Sequence, residues 1–428
     1  MSLTRRDFLR TSAAVPAMFS LSSTVPLMVG RAAAAAPSVK GETALVVLQL
    51  AGGNDGLNTV VPYGDDAYGR VRYTLRLPAA KLHKIDSFVG FHPEMAGFKQ
   101  LLGEGSLAVV QGVGYPNPNQ SHFISMRTWQ TADIEPNRRQ TGWLGRAVER
   151  LAREEAEVPG IFVGQIRQPF TLNAERAVVP SVRSLQDYAP QPLPGPAAQA
   201  AHQQRLLDAA EAPRATGNPL LDFVRRTTLT AHARCRQVEL AAQGKPGSPA
   251  ADYPSFPLAD ELRTVAQLVR ADLGLRIYYV ELGGEEPGGF DNHANQRDNH
   301  ASLLRQLSES LAAFFRDLRR DRLLDRVLVT TFSEFGRTVE ENGRRGTDHG
   351  SAAPVFLAGG RVKGGLLGRH PSLTELENGG LKHHTDFRRL YAAVLDDWLG
   401  VDSRVVLGGE FKPLGGLFPG VGSQQQVG

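Results

Sequence analysis

Short apolar runs rich in β-branched residues alternate along this chain with longer segments whose apolar positions recur every three or four residues. The first pattern suits buried strands and the second amphipathic helices, and their alternation predicts βαβ units around a mainly parallel sheet. Strands are expected at Ala44–Leu50, Leu107–Val113, Gly160–Gly164, Arg276–Leu282, Val327–Phe332 and Pro354–Ala358. Helices are expected at Glu94–Leu102, Leu144–Glu155, Leu220–Ala242, Leu258–Asp272, Ala301–Arg320 and Asp386–Leu399. The stripe is clearest in Ala301–Arg320, where Leu304, Leu307, Leu311, Phe314, Phe315 and Leu318 share one face, as a core-facing helix requires.

Two stretches break the rhythm, Ala189–Ala197 and Gly244–Pro257, both dense in Pro, Gly, Ala and Ser. They bracket an Ala- and Gln-rich helical segment. A single domain over 37–415 is therefore expected, with a helical insertion around 189–257 and a flexible Gly- and Gln-rich tail at 416–428.

The first 36 residues follow a different pattern. Arg5 and Arg6 lead into Asp7, Phe8, Leu9 and Arg10, then a mildly apolar stretch from Thr11 to Gly30 and small residues at Ala32–Ala36. That succession predicts a cleavable twin-arginine signal, hence the twin-arginine translocase as a partner during export and a periplasmic or secreted destination. Pro16 and Pro26 within the apolar stretch argue against a permanent membrane anchor.

Composition narrows the classes that remain. The 428 residues, 41% of them hydrophobic, can bury a large core. The formal charge of +4 owes much to the signal, whose four arginines outweigh one aspartate, so that its removal leaves about +1. No basic run interleaved with aromatics follows, which excludes a nucleic-acid partner. The single cysteine, Cys235, permits no internal disulfide and lies far from the small-residue zone, which excludes a lipid-attached N-terminus.

Polar, Gly-rich segments follow the expected strands, and in an open parallel sheet that edge binds ligands. After the first strand come Gly52, Gly53, Asn54, Asp55 and Gly56, where Asp55 is either a metal ligand or the residue that closes an Asn-Asp-Gly turn. After the second come Asn117 to His122, with Ser121 placed to cap a helix or to sit beside a bound anion. The run Gly288 to Gln296 carries Asp291 and His293, a pair that suits a cation or a hydrogen-bonded clasp. Ser333 to Arg337 offers Glu334 as a ligand and Arg337 as an anion binder or a salt-bridge partner, and Gly346 to Gly350 sets Asp348 and His349 between glycines. No G-x-S-x-G elbow, Walker loop, dinucleotide fingerprint or H-E-x-x-H is present.

The segments LQLAGGNDGLNTVVP, NPNQSHFISMRTWQTAD, GGFDNHANQ, TTFSEFGRTVEENGRRGTDHG and HTDFRRLYAAVLDDWLG, in this order, resemble domain-of-unknown-function family 1501, exported bacterial proteins of the alkaline phosphatase-like superfamily. The resemblance implies a three-layer αβα sandwich with a mainly parallel central sheet, and a divalent metal centre of Zn, Ca, Mg or Mn. It implies Ser121 as nucleophile on a phosphate or sulfate ester, with His122 or Arg337 steadying the anion. Metal ligands are expected among Asp55, Asp291, His293, Glu334, Asp348 and His349. Phe335 stands where the superfamily carries a histidine ligand, so a second metal site is in doubt, and one ion or none stays open. Two functions are therefore expected to compete: a metal-dependent ester hydrolase, and a non-catalytic binding or scaffold protein on the same fold.

Overall fold

The computed structural model describes residues 42–135, 138–153, 157–164, 168–182, 252–283 and 289–419. All of them belong to one compact unit, Val39–Arg183 with Gly247–Gly428. The expected signal, the helix Leu220–Ala242, Cys235, Gly288 and nearly all of the expected insertion lie outside the described residues.

The β-branched runs form the strands β1 (Ala44–Leu50), β2 (Leu107–Gly114), β3 (Gly160–Val163), β4 (Ser181–Val182), β5 (Ile277–Leu282), β6 (Val327–Phe332), β7 (Ala353–Gly359), β8 (Gly365–Leu367) and β9 (Thr385–Asp386). They make one nine-stranded sheet in the order β8-β2-β7-β6-β1-β5-β3-β4, with β9 also on β2. Every pairing is parallel except those of β7, which runs antiparallel to both β2 and β6. The mainly parallel sheet is as expected, and the reversed strand is new.

That reversal positions the site. In a parallel sheet, residues after a strand reach the C-terminal edge; because β7 is reversed, residues just before it reach that edge too. The chain between β6 and β7 thus leaves and re-enters the sheet on the same side. Its two limbs pair as a ribbon: Gly336 N donates to Ser351 O at 2.7 Å, Thr338 N to Asp348 O at 2.9 Å, and Gly350 N to Gly336 O at 2.8 Å, with Arg337 and His349 bridged antiparallel.

The helices are α1 (Gly56–Thr59), α2 (Asp66–Val71), α3 (Ala96–Gly103), α4 (His122–Thr131), α5 (Trp143–Leu151), α6 (Pro257–Ala271), α7 (Gln296–Arg320), α8 (Phe387–Ala393) and α9 (Ser403–Leu407). Successive residues of a strand face opposite sides, and β7 shows both sides covered. Val355 and Leu357 join a core with Trp129 of α4, Leu144 of α5, Tyr391 of α8 and Val406 of α9. Phe356 between them meets Phe98 of α3 edge to face, ring centres 4.9 Å apart. Helices on both faces of one sheet make the three-layer αβα sandwich.

Several boundaries differ from expectation, among them that of α5, which ends at Leu151 rather than Glu155. The helix expected from Ala301 starts at Gln296, because its first turn is polar and carries no stripe, so His300 is buried within α7. The helix expected over Asp386–Leu399 is α8 continued by a π-helical stretch, Val394–Leu399, that stops at Gly400 in the left-handed region. The tail expected to be free from 416 is held two residues further, since Leu417 and Phe418 are buried and Phe418 stacks on Trp398. No helix among the described residues is long and apolar enough to cross a membrane.

Candidate metal centre

Four side chains converge at the sheet edge. Asp291 follows β5, His293 lies two residues on, His122 opens α4, and His349 ends the ribbon before β7. Around Asp291 Oδ1 stand His293 Nε2 at 3.0 Å, His349 Nε2 at 3.2 Å and His122 Nε2 at 3.4 Å. His293 Nε2 and His349 Nε2 are 2.9 Å apart. Two ligands bonded to one tetrahedral zinc at ~2.0–2.1 Å lie ~3.3 Å from each other, and the separations around Asp291 Oδ1 are of that size. His122, Asp291 and His349 alone already offer one atom each within 4.8 Å of the others.

Each imidazole is held from behind. His122 Nδ1 meets Glu334 Oε1 at 3.0 Å, His293 Nδ1 meets Asp348 Oδ1 at 3.0 Å, and His349 Nδ1 meets the Gln120 carbonyl at 2.6 Å. An oxygen acceptor at Nδ1 draws the proton there and, in the neutral ring, leaves the Nε2 lone pair facing inward. With all three rings neutral, three lone pairs and a carboxylate oxygen face one another, an arrangement that a positive charge between them relieves. The buried Nε2 of His122 indeed has no hydrogen-bond partner. Histidine ligands backed by oxygen acceptors are the usual outer shell of a metal site. With side chains 21–32% exposed, the cluster is open to solvent.

Charged neighbours act on Asp291, His122 and His349. Burial works to raise the Asp291 pKa, but the Arg337 guanidinium, 2.6 Å from Oδ1, outweighs it and holds the carboxyl below its usual range. The hydrogen bond that His122 donates to Glu334 raises the His122 pKa, while burial lowers that of His349. Asp348 is held down first by its bond to His293.

Several expected roles are redistributed. Glu334 and Asp348, expected as ligands, stand behind His122 and His293 because each is already hydrogen-bonded to a ring Nδ1. Glu334 Oε1 also accepts from Gly52 N at 2.9 Å. His122, expected to steady an anion, points its Nε2 into the cluster. Arg337, expected to bind substrate, is fully engaged in the protein: Nε donates to Gly53 O, Nη1 to Thr347 O, and Nη2 to Gly52 O, Phe290 O and Asp291. Ser121 is exposed at the N-cap of α4, where its hydroxyl makes no capping bond. Gln120, which the sequence did not single out, fixes His349 from two sides, since its Nε2 also donates to the His349 carbonyl at 2.8 Å.

Asp55 does not join the cluster. It caps α1 and forms a two-pronged ion pair with Arg72, Nη1 to Oδ2 at 2.6 Å and Nη2 to Oδ1 at 3.0 Å, and it accepts from Gln296 Nε2. Both residues are buried, Arg72 completely. Burial works to raise the Asp55 pKa, yet Arg72 prevails and lowers it. Phe335 packs against the centre, its ring tilted and 4.6 Å from that of His349 and 5.0 Å from that of His122. The turn that makes room for this packing needs glycine: Gly52 and Gly53 have φ of 104° and 80°, and a Cβ would lie 2.5 Å from Asp291 N at Gly52 and 2.4 Å from the Phe335 ring at Gly53. Among the described residues, His122, Asp291 and His349 are the only group of three or more His, Cys, Asp or Glu with metal-ligand spacing.

Beside Asp55 lie two buried histidines that serve stability. Burial pushes the pKa of His300 down to about 4 and that of His92 down to about 3. Both are neutral in the folded protein, whereas an unfolded histidine titrates near ~6.5. Their contribution is therefore complete above that pH and is lost as pH falls from ~6.5 toward 4, by on the order of 3 kcal/mol for His300. The melting temperature is expected to fall over this range, and less steeply in His300→Gln.

A search of curated proteins finds no match to this chain. Solved structures with a related outline include a sulfatase from Pseudoalteromonas sp. (12% identity, 91% of this chain and 75% of that one, TM-score 0.40). Others are the phosphonate monoester hydrolase of Agrobacterium radiobacter (12% identity, 86% and 78%, TM-score 0.34) and the C-terminal periplasmic domain of EcEptC from Escherichia coli, in complex with Zn (9% identity, 76% and 74%, TM-score 0.33). At such scores the chemistry has to be argued from this chain's own residues. Across residues 42–409 the chain matches the family described as "Protein of unknown function (DUF1501)", and it belongs to that family.

Proposed function

We propose that this protein is an exported, metal-dependent hydrolase of phosphate or sulfate esters with a single metal centre. The observation that carries the reading is the convergence of three imidazole Nε2 atoms on Asp291 Oδ1, each imidazole backed at Nδ1 by an oxygen. His122, His293, His349 and Asp291 would hold the ion, and an imidazole-rich set favours zinc over calcium or magnesium. A bound divalent cation would act as a Lewis acid on an ester oxygen.

The chain's own residues supply the rest. Ser121 stands one residue before a ligand, at the start of a ten-residue helix whose free N–H groups and dipole favour an anion. Its hydroxyl is uncommitted and exposed. In the proposed displacement the Ser121 Oγ bond to phosphorus or sulfur forms as the bond to the alcohol breaks, the hydroxyl proton ends on the departing alcohol oxygen, and water then hydrolyses the serine ester to free serine and phosphate or sulfate. Arg337 keeps Asp291 charged and placed. Export by the twin-arginine translocase, proposed from Arg5 to Ala36, would put this activity outside the cytoplasm without a membrane anchor.

A second reading, a metal-binding protein without hydrolytic activity, is favoured by Phe335, whose ring occupies the flank where another ligand would be needed. Purified protein separates the two. The hydrolase reading expects about one tightly held ion per chain and activity on a panel of aryl phosphates and sulfates, which Ser121→Ala abolishes while keeping the metal. Metal without activity in the unaltered chain would leave the second reading standing.

A further inference from the structure

With Arg337 committed to backbone carbonyls and Asp291, the cations that meet a substrate must come from the rim. The ribbon between β6 and β7 ends in a turn bearing Arg344 and Arg345, both exposed. The turn is locked: Asn342 Oδ1 accepts from Arg344 N at 2.9 Å and Gly346 N at 3.1 Å. It is also docked on the centre. Asn295 N and Gln296 N donate to the carbonyls of Arg344 and Arg345, Asn342 Nδ2 reaches Asp348 and the His293 carbonyl, and a Cβ on Gly346 would lie 2.3 Å from the His293 carbonyl carbon.

The turn itself sets the backbone here: Arg345 N donates to Asn342 O at 3.2 Å and Asn342 N to Gly346 O at 2.9 Å, which calls for a left-handed residue at 345. Arg345 adopts φ 59°, a conformation glycine takes freely and a long side chain takes only with strain. Yet its side chain makes no hydrogen bond or ion pair among the described residues. Arg344 reaches only Asp348, at 4.0 Å, the outer limit of an ion pair. One guanidinium without a partner among the described residues and one paired only loosely are thus presented on a rigid support that touches the backbone of His293. Guanidinium forks recognise the oxygens of phosphate and sulfate groups.

We infer that Arg344 and Arg345 form the subsite for a second anionic group of the substrate, so that the esters taken are polyanionic, with one group at the metal centre and another on this turn. The inference rests on the hydrolase reading for the reaction but not for the binding, and its test uses binding alone. Sucrose octasulfate, a compact polysulfate, is titrated calorimetrically into the full chain and into the R344A/R345G variant. The double variant should bind on the order of tenfold more weakly, with a shallower dependence on salt. R345G alone should weaken binding while raising the melting temperature, because glycine relieves the left-handed strain; weaker binding then cannot be ascribed to unfolding. Exposed Arg404, paired with Asp402, provides the control, and R404A should bind as the unaltered chain does. Affinity unchanged in R344A/R345G, or lowered equally by R404A, would overturn the subsite. Weakened binding in the double variant of a chain that hydrolyses no ester would retain the subsite and discard the hydrolase, so the two failures are separable.

Discussion

Replacing His349 with alanine is expected to remove the bound metal and reduce ester hydrolysis to background. His349 Nε2 lies 3.2 Å from Asp291 Oδ1 and 2.9 Å from His293 Nε2, so its loss opens the shell on the side where the ribbon meets the Asp291 loop. The backing residues should behave differently. Glu334→Gln keeps a hydrogen-bonding atom beside His122 Nδ1 but removes the negative charge, and outer-shell changes of this kind typically lower metal affinity or activity by ~10–100-fold. Metal content after dialysis against a weak chelator, read by elemental analysis, should therefore rank the unaltered chain first, Glu334→Gln second and His349→Ala last. Equal metal retention in all three would show that the ion, if any, binds elsewhere.

Asp55→Ala is expected to be the most destabilising single change near the site and to leave the metal in place. It strands the Arg72 guanidinium, which is wholly buried and otherwise satisfied only by the carbonyls of Thr338 and Val339. Removing one partner of a buried ion pair costs about 3–5 kcal/mol, because a charge is left without compensation. The double change Asp55→Ala with Arg72→Met should recover much of the loss. Thermal melting followed alongside metal content separates this role from ligation: metal released by Asp55→Ala at a temperature where the protein is still folded would return Asp55 to the ligand set.

What could be read from the sequence follows from how local each signal is. β1 and β6 have the bounds their apolar runs suggested, since a continuous buried run needs no partner to be recognised. The reversal of β7 has no such signature. Its residues are as apolar as those of a parallel strand, and only the pairing partner defines its direction. The site divides in the same way. Asp, Glu and His at the strand ends mark an edge where chemistry can happen, but a carboxylate that ligates and one that orients a ligand are the same residue type. Glu334 and Asp348 could not be told from Asp291 without knowing which atom lies 3.0 Å away. Asp55 was ambiguous for another reason: its partner Arg72 is 17 positions downstream, in a stretch with no motif. Gln120 acts largely through its backbone carbonyl, which every residue has.

The ribbon between β6 and β7 makes the geometry of the centre sensitive to chain length. Arg337 and His349 sit opposite each other on it, and side chains on paired extended limbs alternate between faces, so a slip of one residue turns each of them over. A single-residue deletion between Thr347 and Gly350 would swing His349 away from Asp291 while leaving the composition of the site almost intact. An insertion at the exposed tip around Gly343 would lengthen the turn and spare the pairing. Natural variation in the length of this segment should therefore be confined to the tip, where it would alter the reach of the arginines without moving the metal.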